Sequence, residues 1–376
     1  MMIIKRCYKS SFYYLHKFYI IKKRKNHIPS KKLLFFFVCG VYNEIVHNKI
    51  GDFMRKIRRK REKRKQKIII IIVFLFLIIM TSGYAAFSTN ITFHAKENIK
   101  WKIIDITDNV VTSGEGLYKD EYEKGRCVYR GTNPNNYIEF NGELWRIISK
   151  EADGTYKILR NEALPSRAFD SGGARTTGYC SQGNAPTYGC NAWSSTAHMV
   201  GSPSEFTNGS YTESVDADSE ILTYLNGEYY NSLERTFKEN IVSNTWGTGA
   251  VIWQNNDLQG QITSENRYKW NGNIGLISVS DYIKANSNKE TCGTVNKNNS
   301  YYSTCKNTNW MYISGTSWWT ISPGSIYSYT VWNINSDGYL YGNDARNSVG
   351  VRPAVFLNSS ISLIGDGTES DPFIIV

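Results

Sequence analysis

The chain has 376 residues, with 44 Lys/Arg against 33 Asp/Glu and a formal net charge of +11. The charge is unevenly placed. Residues 1–87 hold 21 Lys/Arg and 3 Asp/Glu, so residues 88–376 hold 23 and 30 and are acidic. A nucleic-acid footprint needs a basic face on the folded domain, so this acidic part is not expected to bind nucleic acid.

In chain order, residues 1–53 carry scattered cations and aromatics. Their longest apolar stretch, Leu33 to Val41, is too short to span a bilayer. They read as an upstream extension, disordered or untranslated, with Met54 as the start of translation; a cytoplasmic tail is the alternative. Residues 54–67 form a basic n-region, in which Arg55 to Lys67 contains ten Lys/Arg and one Glu. Residues 68–87 follow without a charge and open on five consecutive isoleucines. About 20 apolar residues cross a hydrocarbon core, and the basic flank stays in the cytoplasm. One transmembrane or signal-anchor helix is therefore expected at 68–87, with Ser88 to Val376 outside the cell. The small residues Gly83 and Ala85 also suit signal-peptidase cleavage near Ala85. Attachment to the membrane or cell surface is preferred over clean release.

The exported part is rich in Tyr, Trp, Asn, Ser and Gly, a composition of strands and loops. Residues 88–126 read as a stalk or linker with a short β-segment, and residues 127–376 as the compact domain. Cys180–Cys190 and Cys292–Cys305 each bracket a polar, turn-rich stretch and are expected to form local disulfides. Each closure contributes roughly 2–3 kcal/mol in the chain-entropy model. Zinc is disfavoured because there is no CxxC and no nearby His. Cys127 is left over: free, buried, or bonded to another chain.

Tyr137 to Phe140 reads as a strand, Asn141-Gly142 as a type I′ turn, and Glu143 to Lys150 as the partner strand. Asp153-Gly154 turns again into a third strand, Thr155 to Arg160. Residues 165–215 have few apolar anchors and read as long surface loop. Ile221, Leu222, Leu225, Tyr229 and Leu233 recur at helical spacing, capped by Ser219 or Asp218 and interrupted by Gly227. Gly275 to Tyr282 reads as a buried strand running into a short helix. Strands are expected at 318–323, 329–335, 339–341, 349–357 and 371–376.

The segments NYIEFNGELWRII, GLISVSDY, SWWTISP, VWNINSDG and GVRPAVFL occur in that order. Together they resemble a domain of unknown function on exported bacterial proteins. That domain is similar to the C-type-lectin-like fold shared with formylglycine-generating enzymes and variable receptor-binding proteins. Over residues 127–376 the resemblance implies an α+β, C-type-lectin-like mixed fold. It would have a small twisted antiparallel sheet, one or two helices and long disulfide-tied loops.

No catalytic set emerges. His94 and His198 are the only histidines after residue 87, and His198 lacks nucleophile-elbow glycines. The reactive cysteine pair of formylglycine-generating enzymes has no counterpart after Cys305. Calcium-lectin loops are missing as well, since Trp332-Asn333 is followed by Ile334. No catalytic residue, cofactor or metal is therefore expected, and the chain is read as a non-enzyme. Strand alternation puts Trp332 and Ile334 on a core face, with Trp145, Trp319 and a buried, paired Arg352 as further packing residues. The opposite face would expose a ligand-binding set of Tyr327, Tyr329, Asn333, Tyr339, Tyr341 and Asn343. Exposed Tyr with Asn offers apolar area and hydrogen bonds at low entropic cost. The expected function is a membrane-attached extracellular recognition or adhesion module that binds glycan or protein. A structural surface subunit such as a pseudopilin, or an enzyme of unknown chemistry, are the alternatives.

Overall fold

The computed structural model describes residues 102–172, 177–196, 214–252, 257–295 and 304–376. The extension 1–53, the basic region 54–67, the span 68–87, the start of the stalk, His94 and His198 lie outside the described residues. No helix among the described residues is long and apolar enough to cross a membrane. The architecture is mixed α+β: small, mostly antiparallel sheets, a few short helices and two disulfides.

The first sheet grows from local hairpins. Strands β1 (Gly116–Lys119), β2 (Cys127–Arg130), β3 (Tyr137–Phe140), β4 (Glu143–Lys150) and β5 (Tyr156–Arg160) come in quick succession. Asn141 and Gly142, with φ of 56° and 71°, make the tight β3–β4 turn. Both need the left-handed region, which Asn tolerates and Gly occupies at no steric cost. β1 pairs with β2, and Leu117 and Ile106 enter the core. The compact unit therefore takes in much of the segment expected to be linker.

The later strands are β6 (Leu164–Arg167), β7 (Ile241–Val242), β8 (Asn244–Gly247), β9 (Lys269–Gly272) and β10 (Ile274–Gly275). Then come β11 (Trp318–Pro323), β12 (Thr330–Ile334), β13 (Leu340–Asp344), β14 (Val349–Val351) and β15 (Ala354–Leu357). β16 (Leu363–Ile364) and β17 (Ile374–Ile375) close the chain as a pair. The large sheet runs β1-β2-β4-β5-β15-β10, with β3 beside β4 and β7 beside β15. The second sheet runs β13-β12-β11-β14-β6. The apparent single strand VGVRPAVFL is split at Arg352-Pro353. Proline cannot donate to a ladder, and the two halves join different sheets.

The helix expected after Ser219 forms, and the Ser219 hydroxyl accepts from the Leu222 amide. Glu220–Tyr224 is α-helical, Leu225–Tyr229 is wound as a π-helix, and Tyr230–Ser232 returns to α. Gly227 thus lies in a widened turn rather than at a break. The helix Val279–Lys284 opens on a reciprocal capping box between Ser278 and Asp281.

The segment 165–196 departs most from expectation. Its described part is no surface loop. Phe169 and Trp193 are buried in the main core, and Tyr179, Cys180, Ala185, Cys190 and Ala192 form a satellite core with Val215 and Ala250. Three well-spaced aromatics were enough to fold it inward, although few aliphatic residues mark it.

Candidate functional site: an aromatic groove at a sheet edge

The hairpin β12–β13 and the 324–330 connection frame an open groove of about 550 Å³, within the usual size of ligand pockets. Val251, Trp332 and Leu340 form its apolar floor, with Ile326, Tyr327, Tyr339 and Tyr341 around them. Ile326, Tyr327 and Tyr341 are 40 %, 41 % and 47 % exposed, and Ile252 follows Val251 as another exposed apolar residue. Ile326, Tyr327 and Tyr341 line one groove, and clustering of exposed apolar side chains is the informative case.

The rim is built, not loose. Asn191, beside the Cys180–Cys190 disulfide, donates its side-chain amide to the carbonyls of Tyr327 (2.8 Å) and Thr330 (3.1 Å). Its backbone amide donates to the Ser328 carbonyl. The Tyr179 hydroxyl donates to Asn191 Oδ1 at 3.2 Å. Tyr327 stacks on Tyr329 with ring centroids 5.2 Å apart, and Tyr329 meets Tyr188 at 5.0 Å. The disulfide segment therefore buttresses one wall of the groove. The Cys292–Cys305 disulfide also forms, and it lines a small cavity together with Tyr339 and Leu340.

Of the six residues expected to bind ligand, the structure brings Tyr327, Tyr339 and Tyr341 to the groove. Tyr329 and Asn343 are half-buried and do not line it. Asn333 is a correction: it is 2 % exposed, and its Oδ1 has no hydrogen-bond partner. Alternation exposes a residue only on a strand with one wet face, and the Val331–Asn333 face of β12 is covered. It is an interior strand of its sheet. Trp319, paired across from Asn333, packs on Phe169 at 5.9 Å, so the inward-folded segment covers the face expected to be solvent-exposed. Thr330 and Trp332 line the groove instead.

Trp145, Trp319, Trp332 and Arg352 are all buried. Arg352 pairs with carbonyls rather than a carboxylate. It donates to Arg160 O (3.0 Å) and Met311 O (2.8 Å), and its guanidinium lies 4.7 Å from the Trp318 ring centre. Burial first, and then neighbouring Arg146, pull its pKa down to about 9.

A second cluster, of buried charges, centres on Asp281. Asp281 receives Lys157 Nζ at 2.6 Å and Arg126 Nη2 at 2.9 Å. Arg126 also reaches Glu151 and Glu123, and Lys284 bridges Asp120 and Glu123. Burial works against the Asp281 carboxylate, but Lys157 and then Arg126 outweigh it and hold the group well below its ordinary range. Glu265 lies in the same cluster without a cation of its own. It accepts from Ser280 N (3.1 Å), the Ser280 hydroxyl and the Ser322 hydroxyl (3.2 Å). Burial pushes it up to about 7; the Ser280 hydroxyl opposes the shift, and negative Asp281 adds to it.

A carboxyl near neutrality beside two hydroxyls has the parts of a general base with a nucleophile. The adjoining cavity is about 90 Å³, room for only about three waters, and the carboxyl's hydrogen bonds are already made. The geometry therefore reads as a buried structural network. The one sequence signal for it was Ser278-x-x-Asp281, the capping-box spacing within GLISVSDY. No group of three His, Cys, Asp or Glu among the described residues is disposed to hold a metal ion.

The profile of a family described as a domain of unknown function, DUF6273, matches residues 201–359. The match takes in β7 to β15, the groove lining, Glu265 and Asp281, and it leaves β1 to β6 outside, with the Arg126 and Lys157 that pair with Asp281. No curated protein and no solved structure matches the chain. Over residues 201–359 the chain is therefore similar to an uncharacterised domain.

Proposed function

We propose that this chain is a membrane-attached, extracellular recognition or adhesion module without catalytic activity, and that the groove beside β13 is its binding site. The observation that carries the reading is the groove itself: a cavity of about 550 Å³ ringed by half-exposed tyrosines and isoleucine. Rigid Tyr side chains supply contact area at low entropic cost and keep a hydroxyl for the ligand. The two disulfides accord with an oxidising exterior. The basic block followed by the apolar run at 68–87 supports a single pass with the C-terminal part outside. The small antiparallel sheets, short helices and disulfide-tied segments suit a C-type-lectin-like arrangement, which we propose as the fold type.

Two experiments test this reading. Protease added to intact cells should remove the C-terminal part while sparing a cytosolic marker; full protection contradicts the placement. Full-length protein in detergent, screened on glycan and protein arrays, should give hits that weaken in Tyr341→Ala. Array hits indifferent to that change reject the site.

A further inference from the structure

We propose that β13 takes an extended, uncharged peptide segment of another protein as an added strand, with one of that segment's side chains seated in the aromatic groove. This deepens the recognition reading above and rests on it. β13 is the terminal strand of its sheet, paired on one side with β12. Among the described residues no further strand joins it. In an antiparallel ladder, alternate N–H and C=O groups of such a strand point away from its neighbour.

The groove reaches that open edge. Successive strand residues face opposite sides of a sheet, yet Leu340, Tyr341 and Gly342 all line the cavity. Thr330 and Trp332 of β12, with Leu340 and Gly342, put the cavity on one face of the β12–β13 pair, and Tyr341 beside them carries it to the free backbone edge. Protected edges carry Lys, Pro or a bulge. The sequence LYGND has neither Lys nor Pro where the groove meets it, its one charge, Asp344, lies at the far end, and its register with β12 is unbroken.

The lining also selects among ligand classes. Among the described residues no charged side chain contributes to it. An ionised contact would be desolvated there without a partner, so the inserted side chain is neutral. The described lining contains no Asn, Gln, Asp, Glu or Arg either. A sugar ring would find hydroxyls and backbone but none of the planar forks that read adjacent hydroxyl pairs. A peptide needs only what is present: an open backbone edge for affinity and an apolar pocket for specificity. A second copy of this chain is the weaker occupant. Two five-residue strands bury far less than the roughly 1,200 Å² of a stable interface.

The test uses the full chain in detergent, with random twelve-residue peptides displayed on phage as the probe. Enriched peptides should be neutral and alternating. When one is resynthesised with alternate amides N-methylated, one register should lose binding by about tenfold or more and the other should not. Tyr341→Ala should weaken the unmodified peptide by a similar factor. Gly342→Pro, which deletes an edge N–H, should do the same at unchanged melting temperature. If Gly342→Pro fails to fold, the two methylated peptides still decide. The inference is overturned if no peptide is enriched, if both methylated registers bind as the parent does, or if the chain self-associates through this edge. Chitohexaose binding lost in Tyr341→Ala would overturn the peptide inference and leave the recognition reading standing. Absence of any binding to peptide, protein and glycan alike removes both.

Discussion

Glu265 is a carboxyl whose chemistry is set almost wholly by where it lies. Its folded pKa is about 7 against an ordinary value of 4.5. Below about pH 4.5 it is protonated whether folded or not and costs nothing. As pH rises toward 7 the unfolded chain ionises and the folded chain does not, so stability falls; above 7 the loss is constant. The two and a half pH units correspond to roughly 3 kcal/mol. Glu265→Gln keeps the acceptor for Ser280 N and turns its amide toward the Ser280 hydroxyl. Urea unfolding should show the variant more stable than wild type by about 2–3 kcal/mol at pH 8 and equal to it at pH 4.5. A constant difference across that range would refute the assignment. Asp281 has the opposite sign: its contribution is lost only as pH falls below the ordinary carboxylate range, so the comparison stays clear of it. Beyond the capping-box spacing of Ser278 and Asp281, none of this was legible in the sequence. Glu265 and Ser322 are 57 residues apart, and no local pattern marks a buried acid. The burial of Trp145, Trp319 and Trp332 was legible, because large rings in short alternating runs have few places to go. Asn333 was misjudged for a related reason: alternation gives parity, but not how many faces of a strand are covered.

At the scale of elements, local chemistry was read well where it is strong. The β3–β4 hairpin and the Ser219 cap follow from one or two residues each. Gly142 should be hard to replace: with φ at 71° a β-branched side chain is strained, and Gly142→Val should cost about 1–2 kcal/mol in thermal unfolding. No destabilisation would mean the turn is of another type. Legibility failed where packing overrides pattern. Residues 165–196 hold much Gly, Ser and Asn, and they still turn inward around Phe169, Tyr179 and Trp193. VGVRPAVFL scans as one strand. Its proline, and the Arg352 beneath it that bonds two carbonyls, hand the chain from one sheet to the other.

For the whole molecule, the two sheets share one core in which Trp145 and Trp319 both lie. The disulfides sit outside that core, where they tie down the peripheral segments. Cys127 is the remaining cysteine among the described residues. It is buried in β2, and burial raises its thiol pKa. A linkage between chains through Cys127 would need that strand to open, which counts against the structural-subunit reading. Iodoacetamide should therefore leave Cys127 unmodified in the native protein and label it in urea; rapid native labelling would contradict its position. The domain of unknown function matches over the groove and the later strands, so β13 lies within the matched residues.

Recognition at the groove rests on its tyrosines, and a binding isotherm tests them most directly. Full-length wild type and the double variant Tyr327→Ala/Tyr341→Ala should be titrated with the strongest array or phage ligand, after equal melting temperatures are confirmed. Two exposed aromatic anchors at the centre of a site are each worth about 1–2 kcal/mol or more, so the double variant should bind at least about 30-fold more weakly. Superimposable isotherms would place the binding surface elsewhere on the molecule.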